Sequence, residues 1–194
     1  MTKNIGIFSL TSALAVGVLA AQDAIETLAT VDVIGSSENV LGLTGSGAFI
    51  EAEDYQRKGI TNIQQILRKV PGVYIREEDG FGNFPNISLR GGDGTRNEKV
   101  TVMEDGILTA PAAYSAPSAY YSPRAARMSG IEVLKGSSQI KYGPHTTGGV
   151  INFLSTEIPS EETFYTRNTY GTYNTLLSHN YYGDTVRTAT GTFG

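Results

Sequence analysis

The stretch Thr61-Asn62-Ile63-Gln64-Gln65-Ile66-Leu67-Arg68-Lys69-Val70-Pro71-Gly72-Val73-Tyr74-Ile75-Arg76 reads as a helix, its stop and the start of a strand. Thr61 and Gln64 have the spacing of a capping box, in which hydroxyl and amide each satisfy an orphan backbone N–H. Ile63, Ile66, Leu67 and Val70 recur at i, i+3, i+4 and i+7, which makes one apolar helix face. Arg68 and Lys69 fall where cations complement the helix dipole. Pro71 disfavours the α conformation at Val70 and ends the helix. Gly72 supports the turn into a strand over residues 73–76. A second, weaker helix is expected over residues 52–58, ended by Gly59 just past its cap.

Downstream, short β-prone runs alternate with glycine turns. Residues 87–90, 100–104, 131–135 and 150–154 read as strands. Asp105-Gly106 is a tight-turn signal between β-prone neighbours. Residues 107–128 differ: Pro111, Pro117 and Pro123 block regular structure in a stretch rich in Ala, Ser and Tyr. An ordered loop of that length is usually functional. Beyond Pro159, residues 163–170 and 173–182 form two Thr/Tyr/Asn-rich segments joined by Gly171-Thr172. Neither face of that pair is apolar throughout, which suits both a soluble hairpin and the weak per-segment signature of an outer-membrane barrel strand.

Composition narrows the function classes. Among 194 residues there are 23 Gly, 11 Tyr, no Cys and no Trp, and the formal net charge is −4. Glycine is well above its usual ~7%. The acidic balance argues against nucleic-acid binding, which needs clustered Lys and Arg. Without Cys there are no disulfides, thiolate zinc sites or thiol nucleophiles. With only His145 and His179, a histidine metal cage is not expected, and both are read as surface or turn residues. The glycines carry neither a Gly-Lys-Ser/Thr ending nor a dinucleotide triplet opening a helix. No Ser/His/Asp trio presents itself, so no enzyme activity is expected.

The N-terminus reads as an address. Lys3, the apolar run over residues 5–19, and Val18 and Ala20 before Ala21 have the order of a secretory signal peptide over residues 1–20. The run is shorter than the roughly 20 residues a membrane span needs. Residues 23–38 then read as an extended, exposed arm with a polar hinge at Ser36-Ser37-Glu38-Asn39. Such an arm is either a frayed strand or a peptide offered for strand addition to a partner's sheet edge.

Taken together, several blocks resemble the plug domain of TonB-dependent outer-membrane receptors. They are Ile66-Leu67-Arg68-Lys69-Val70-Pro71-Gly72-Val73, Ile87-Ser88-Leu89-Arg90-Gly91, Val100-Thr101-Val102-Met103-Glu104-Asp105-Gly106 and Ile131-Glu132-Val133-Leu134-Lys135-Gly136. Tyr142-Gly143-Pro144 and Gly148-Gly149-Val150-Ile151-Asn152-Phe153 follow in the same order. The ferric-dicitrate-type receptors are the nearest subgroup, on Ala113-Tyr114-Ser115-Ala116-Pro117, Arg127-Met128 and Tyr142-Gly143-Pro144-His145-Thr146.

The resemblance implies an α+β plug, a small mixed β-sheet with short helices, over residues 41–156. It implies a linker over residues 21–40 and a first barrel hairpin over residues 157–194 of a chain cut short, since 22 strands of about ten residues need roughly 220. It implies a TonB box at Thr27-Leu28-Ala29-Thr30-Val31-Asp32-Val33, with no room ahead of it for a signalling domain. The partners implied are the TonB energy-transducing protein, a ferric chelate and outer-membrane lipid around the barrel, in a Gram-negative cell. No cofactor is implied, because iron arrives already chelated.

Arg90 and Lys135 match the family's basic residues that pair with acidic residues of the barrel wall, a plug–barrel latch. Lys135 stands where Arg is usual and offers a point charge rather than a bidentate fork. An anionic chelate needs hydrogen-bond donors and cations, so Arg96, Tyr114, Ser115 and Ser118 are the candidate ligand contacts. Glu77-Glu78-Asp79 reads as a solvated hairpin tip. The competing function is a soluble periplasmic ligand-binding module without a transport role.

Overall fold

In the computed structural model, residues 34–92, 99–109, 122–142, 148–189 and 191–194 are described. The strands are β1 (Ser46–Glu51), β2 (Val73–Ile75), β3 (Ile87–Leu89), β4 (Val100–Glu104), β5 (Ile107–Leu108), β6 (Met128–Lys135), β7 (Gly149–Ser155), β8 (Thr163–Gly171), β9 (Thr175–Gly183), β10 (Val186–Thr188) and β11 (Gly191–Phe193). The helices are α1 (Ala52–Gln56) and α2 (Ile63–Leu67).

Five strands form the central sheet in the order β1-β6-β7-β4-β5. Only β4 and β7 run parallel within it; β1 with β6, β6 with β7 and β4 with β5 are antiparallel. The result is the small mixed sheet with short helices that the sequence implied. β2 and β3 pair separately, as do β8 with β9 and β10 with β11.

Alternation along the strands divides the core. Val100 and Val102 of β4, Ile131 and Val133 of β6, and Ile151 and Phe153 of β7 point to one side. There they pack with Tyr55 of α1, Ile63, Ile66 and Leu67 of α2, and Ile87 and Leu89 of β3. Met103, Leu134 and Val150 point to the other side and enclose Ile34. Successive strand residues point to opposite faces and both faces are covered, so β4, β6 and β7 are buried almost continuously along their length.

The α2 helix is shorter than its apolar repeat suggested, and its cap is shifted. Asn62, not Thr61, is the N-cap, its side chain accepting from the Gln64 N–H. The Gln64 amide does not reach back to the cap; it donates to the Phe84 carbonyl at 2.8 Å. The capping box is therefore replaced by an Asx-type cap. As expected, Gly72 (φ 78°) follows Pro71, and β2 begins at Val73. In the β4–β5 turn both Asp105 (φ 50°) and Gly106 (φ 78°) are left-handed, as a primed hairpin turn requires. β1 had no counterpart in the sequence reading.

One further expectation changes. Ile34, placed in an exposed arm, is 2% exposed. Glu77, Glu78 and Asp79 lie largely exposed in the β2–β3 connection, as the sequence reading had it, and each is also partnered. Glu77 pairs with Arg68 at 3.4 Å, Glu78 accepts from Asn86 Nδ2, and Asp79 accepts from the Asn83 backbone and side chain. The acidic run organises the β2–β3 connection.

The β8–β9 hairpin carries Tyr165, Arg167 and Thr169 on the face turned toward the sheet domain, and Phe164 and Tyr170 on the face turned away. Arg167 reaches the Gln56 carbonyl at 3.3 Å, beside a cleft of about 410 Å³ lined by Ile60, Phe81, Arg124, Leu177 and His179. His179 therefore lies in a strand, packed against Tyr165 and Tyr181, rather than at a turn. Among the described residues no helix is long and apolar enough to cross a membrane.

Candidate functional site

The two residues expected to latch the plug lie close together. Arg90 leaves β3 with a left-handed backbone (φ 53°), its N–H donating to the Gly72 carbonyl at 2.8 Å. This conformation is uncommon outside Gly, Asn and Asp. It lays the guanidinium against Gly136, where a Cβ would come within 2.7 Å of Arg90 Nη1. Gly136 itself has φ 73°. Lys135, the last residue of β6, is 6% exposed and points to the helix side of the sheet. Its Nζ donates to the Pro71 carbonyl at 2.8 Å. The blocks that suggested the fold thus meet here: the turn between α2 and β2, the β3 end and the β6 end.

The electrostatics of the pair are unfavourable as it stands. Burial, and behind it the positive Arg90, hold the Lys135 ammonium below its ordinary value. Among the described residues no carboxylate pairs with either cation; the described ion pairs lie elsewhere, as at Arg57–Glu53 and Arg127–Glu104. Two adjacent cations, one of them buried, favour an acid supplied from outside the described residues.

A second polar cluster was not anticipated from sequence. Glu132, the second residue of the Ile131-Glu132-Val133 run, is fully buried. Its Oε1 accepts from the Ile34 N–H at 2.8 Å and the Gly35 N–H at 2.9 Å. Its Oε2 accepts from Asn152 Nδ2 at 2.9 Å, and Asn152 Oδ1 in turn accepts from the Gly106 N–H at 2.9 Å. A charged residue between Ile and Val in a strand packed on both faces was the available signal, because such groups are buried only when partnered. Beside it, Asp105 accepts from the backbone and the hydroxyl of Ser155.

The remaining expected site residues, Thr27 to Val33 of the box and Arg96, Tyr114, Ser115 and Ser118, lie outside the described residues. What is described is their roots: Ile34 directly after the box, and the β4–β5 turn leading into the Pro-rich segment. No group of three or more acidic or histidine side chains that could hold a metal ion occurs among the described residues.

Comparison with known proteins places this arrangement. The unliganded crystal structure of the ferric citrate transporter FecA superposes with a TM-score of 0.61 at 28% identity, over 68% of this chain and 21% of that one. The ferric yersiniabactin uptake receptor FyuA from Yersinia pestis has a TM-score of 0.53 at 24% identity, over 72% and 21% respectively, a likeness of fold. The chain spans about a fifth of the length of these receptors, 21% in each case. The family model of the TonB-dependent receptor plug domain matches residues 39–150. On that match over more than half of its length, the chain belongs to the TonB-dependent receptor plug family.

Proposed function

We propose that this chain is the gating part of an energy-coupled outer-membrane importer for a ferric chelate, ferric citrate being the first candidate. Residues 1–20 direct export, residues 27–33 are the peptide that the TonB energy-transducing protein pairs with as an added strand, and residues 41–156 fill the barrel. The β8–β9 hairpin begins the barrel wall. The observation that carries the reading is the Arg90–Lys135 pair. Two neighbouring cations with no carboxylate partner among the described residues suit a body seated inside a larger acidic wall. Likeness to FecA at 28% identity supports the choice of ligand class.

In this reading Arg96, Tyr114, Ser115 and Ser118 face the chelate as donors, and no metal ligand is needed because the chelate saturates its iron. The test uses the full-length gene product in an outer membrane. Uptake of radioactive ferric citrate is expected to disappear when residues 27–33 are deleted, while binding at the cell surface persists. Uptake unchanged by the deletion rejects energy coupling through the arm. Competition by a panel of other ferric chelates identifies the ligand.

A further inference from the structure

We infer that Glu132 is a catch that holds the base of the N-terminal arm, and that only a carboxylate can serve at this position. The role given to its release rests on the proposed reading of residues 27–33 as the pulled peptide. Ile34, the residue directly after that peptide, is fixed in three ways. Its side chain is 2% exposed among Met103, Leu134 and Val150. Its carbonyl accepts from Asn39 Nδ2 at 2.8 Å. Its N–H and that of Gly35 both donate to Glu132 Oε1. Gly35 has φ 69°, a left-handed turn that glycine adopts without cost and that sets consecutive N–H groups toward one acceptor.

The requirement for a carboxylate follows from donor and acceptor accounting. Three N–H donors converge on residue 132: two from the backbone at Oε1 and Asn152 Nδ2 at Oε2. A glutamine there sets its own NH₂ against either the backbone donors or Asn152 Nδ2. Flipping the Asn152 amide does not repair this, because its Oδ1 is committed to the Gly106 N–H. Every orientation of Glu132→Gln leaves a buried donor facing a donor. The same chain of bonds runs from the arm base through β6 and β7 to the β4–β5 turn. A displacement of that turn, at the root of the Pro-rich segment, therefore acts directly on the atoms that hold the arm. Glu132 is a positioning residue in this scheme and touches neither ligand nor partner.

The test is amide hydrogen exchange on the full-length receptor. In the wild type, the Ile34 and Gly35 amides are expected to be protected, whereas those of Ser36 and Ser37 exchange freely. Equal exchange across residues 34–37 overturns the catch without any variant. In Glu132→Gln, exchange at Ile34 and Gly35 rises about tenfold or more, the effect of losing a charge-assisted bond, while Val133 and Leu134 keep their protection. Unchanged exchange at residues 34 and 35 in the folded variant also overturns it. Val33→Cys then reads release: its cross-linking to a TonB cysteine is expected to lose its dependence on ferric citrate in the Glu132→Gln background. Faster exchange with cross-linking still ligand-dependent rejects the release role. Failure of the pulled-peptide reading is seen separately, as uptake that survives deletion of residues 27–33.

Discussion

The Lys135 ammonium donates to the Pro71 carbonyl at 2.8 Å, joining residues 64 positions apart in sequence. It ties the end of β6 to the turn between α2 and β2 and sets a cation where no carboxylate among the described residues pairs with it. Replacing it separates the two roles this geometry allows. In this chain alone, Lys135→Met removes a buried charge that no described carboxylate pairs with and is expected to raise stability by about 1 kcal/mol. In the full-length receptor, where a barrel acid would face it, the same change is expected to loosen the plug. Denaturant midpoints in the two settings give the comparison, and shifts of the same sign contradict the latch.

The pH dependence follows from the same group. A folded-state value held below the ordinary 10.5 means that, between the two values, the unfolded chain binds a proton the native chain lacks. Stability therefore rises with pH as 10.5 is approached, and the cost of burying the charge is fully present at neutral pH. The Tyr55 phenol, pushed up by burial, acts oppositely above its ordinary 10.0, where the unfolded chain loses a proton that the native chain keeps. Alkaline denaturation of Tyr55→Phe isolates the rise, and adding Lys135→Met is expected to flatten it.

Gly149 tolerates no side chain. Its φ is 141°, and a Cβ there would meet the Leu89 side chain and sit 2.8 Å from the Leu134 carbonyl. Gly149→Ala is expected to cost about 2–4 kcal/mol through strain and overpacking. A thermal melt should show it, whereas Gly42→Ala, in open space, leaves the midpoint nearly unchanged.

Tyr55 Oη donates to the Met128 carbonyl at 2.8 Å, linking α1 to the start of β6. Tyr55→Phe is expected to cost only about 1 kcal/mol, since the carbonyl keeps a long contact at 3.4 Å from Gln56 Nε2. A loss above about 3 kcal/mol in urea unfolding would show that the hydroxyl does more than satisfy this one acceptor.

The legible parts of the fold were those with local causes. Pro71 and Gly72 turned the chain from α2 into β2, Asp105-Gly106 turned β4 into β5, and apolar runs marked β4, β6 and β7. β1 was missed because Ser46-Gly47-Ala48-Phe49-Ile50-Glu51 has weak strand propensity, and its pairing with β6 supplies the order. Thr61 reads as the cap because a hydroxyl with Gln three residues on is the common pattern; Asn62, one residue later, competes for the same N–H groups. Arg90 and Lys135 were visible through motif resemblance, but their proximity was not, since it needs β3 and β6 brought together. Glu132 had a visible oddity and invisible partners, as Ile34, Gly35 and Asn152 are scattered through the chain.

One feature of the topology bears on how such a body could be undone. Among the described residues the first strand is also an edge strand of the central sheet, paired with β6 alone. A chain drawn out from its N-terminus can thus shed β1 without threading through any other strand. The remaining β6-β7-β4-β5 order stays contiguous, so extraction can stop after one layer and reverse by simple re-zipping. Under the proposed gating role, a stopper wired in that order would open like a drawn curtain and need not be demolished each time a passenger goes through.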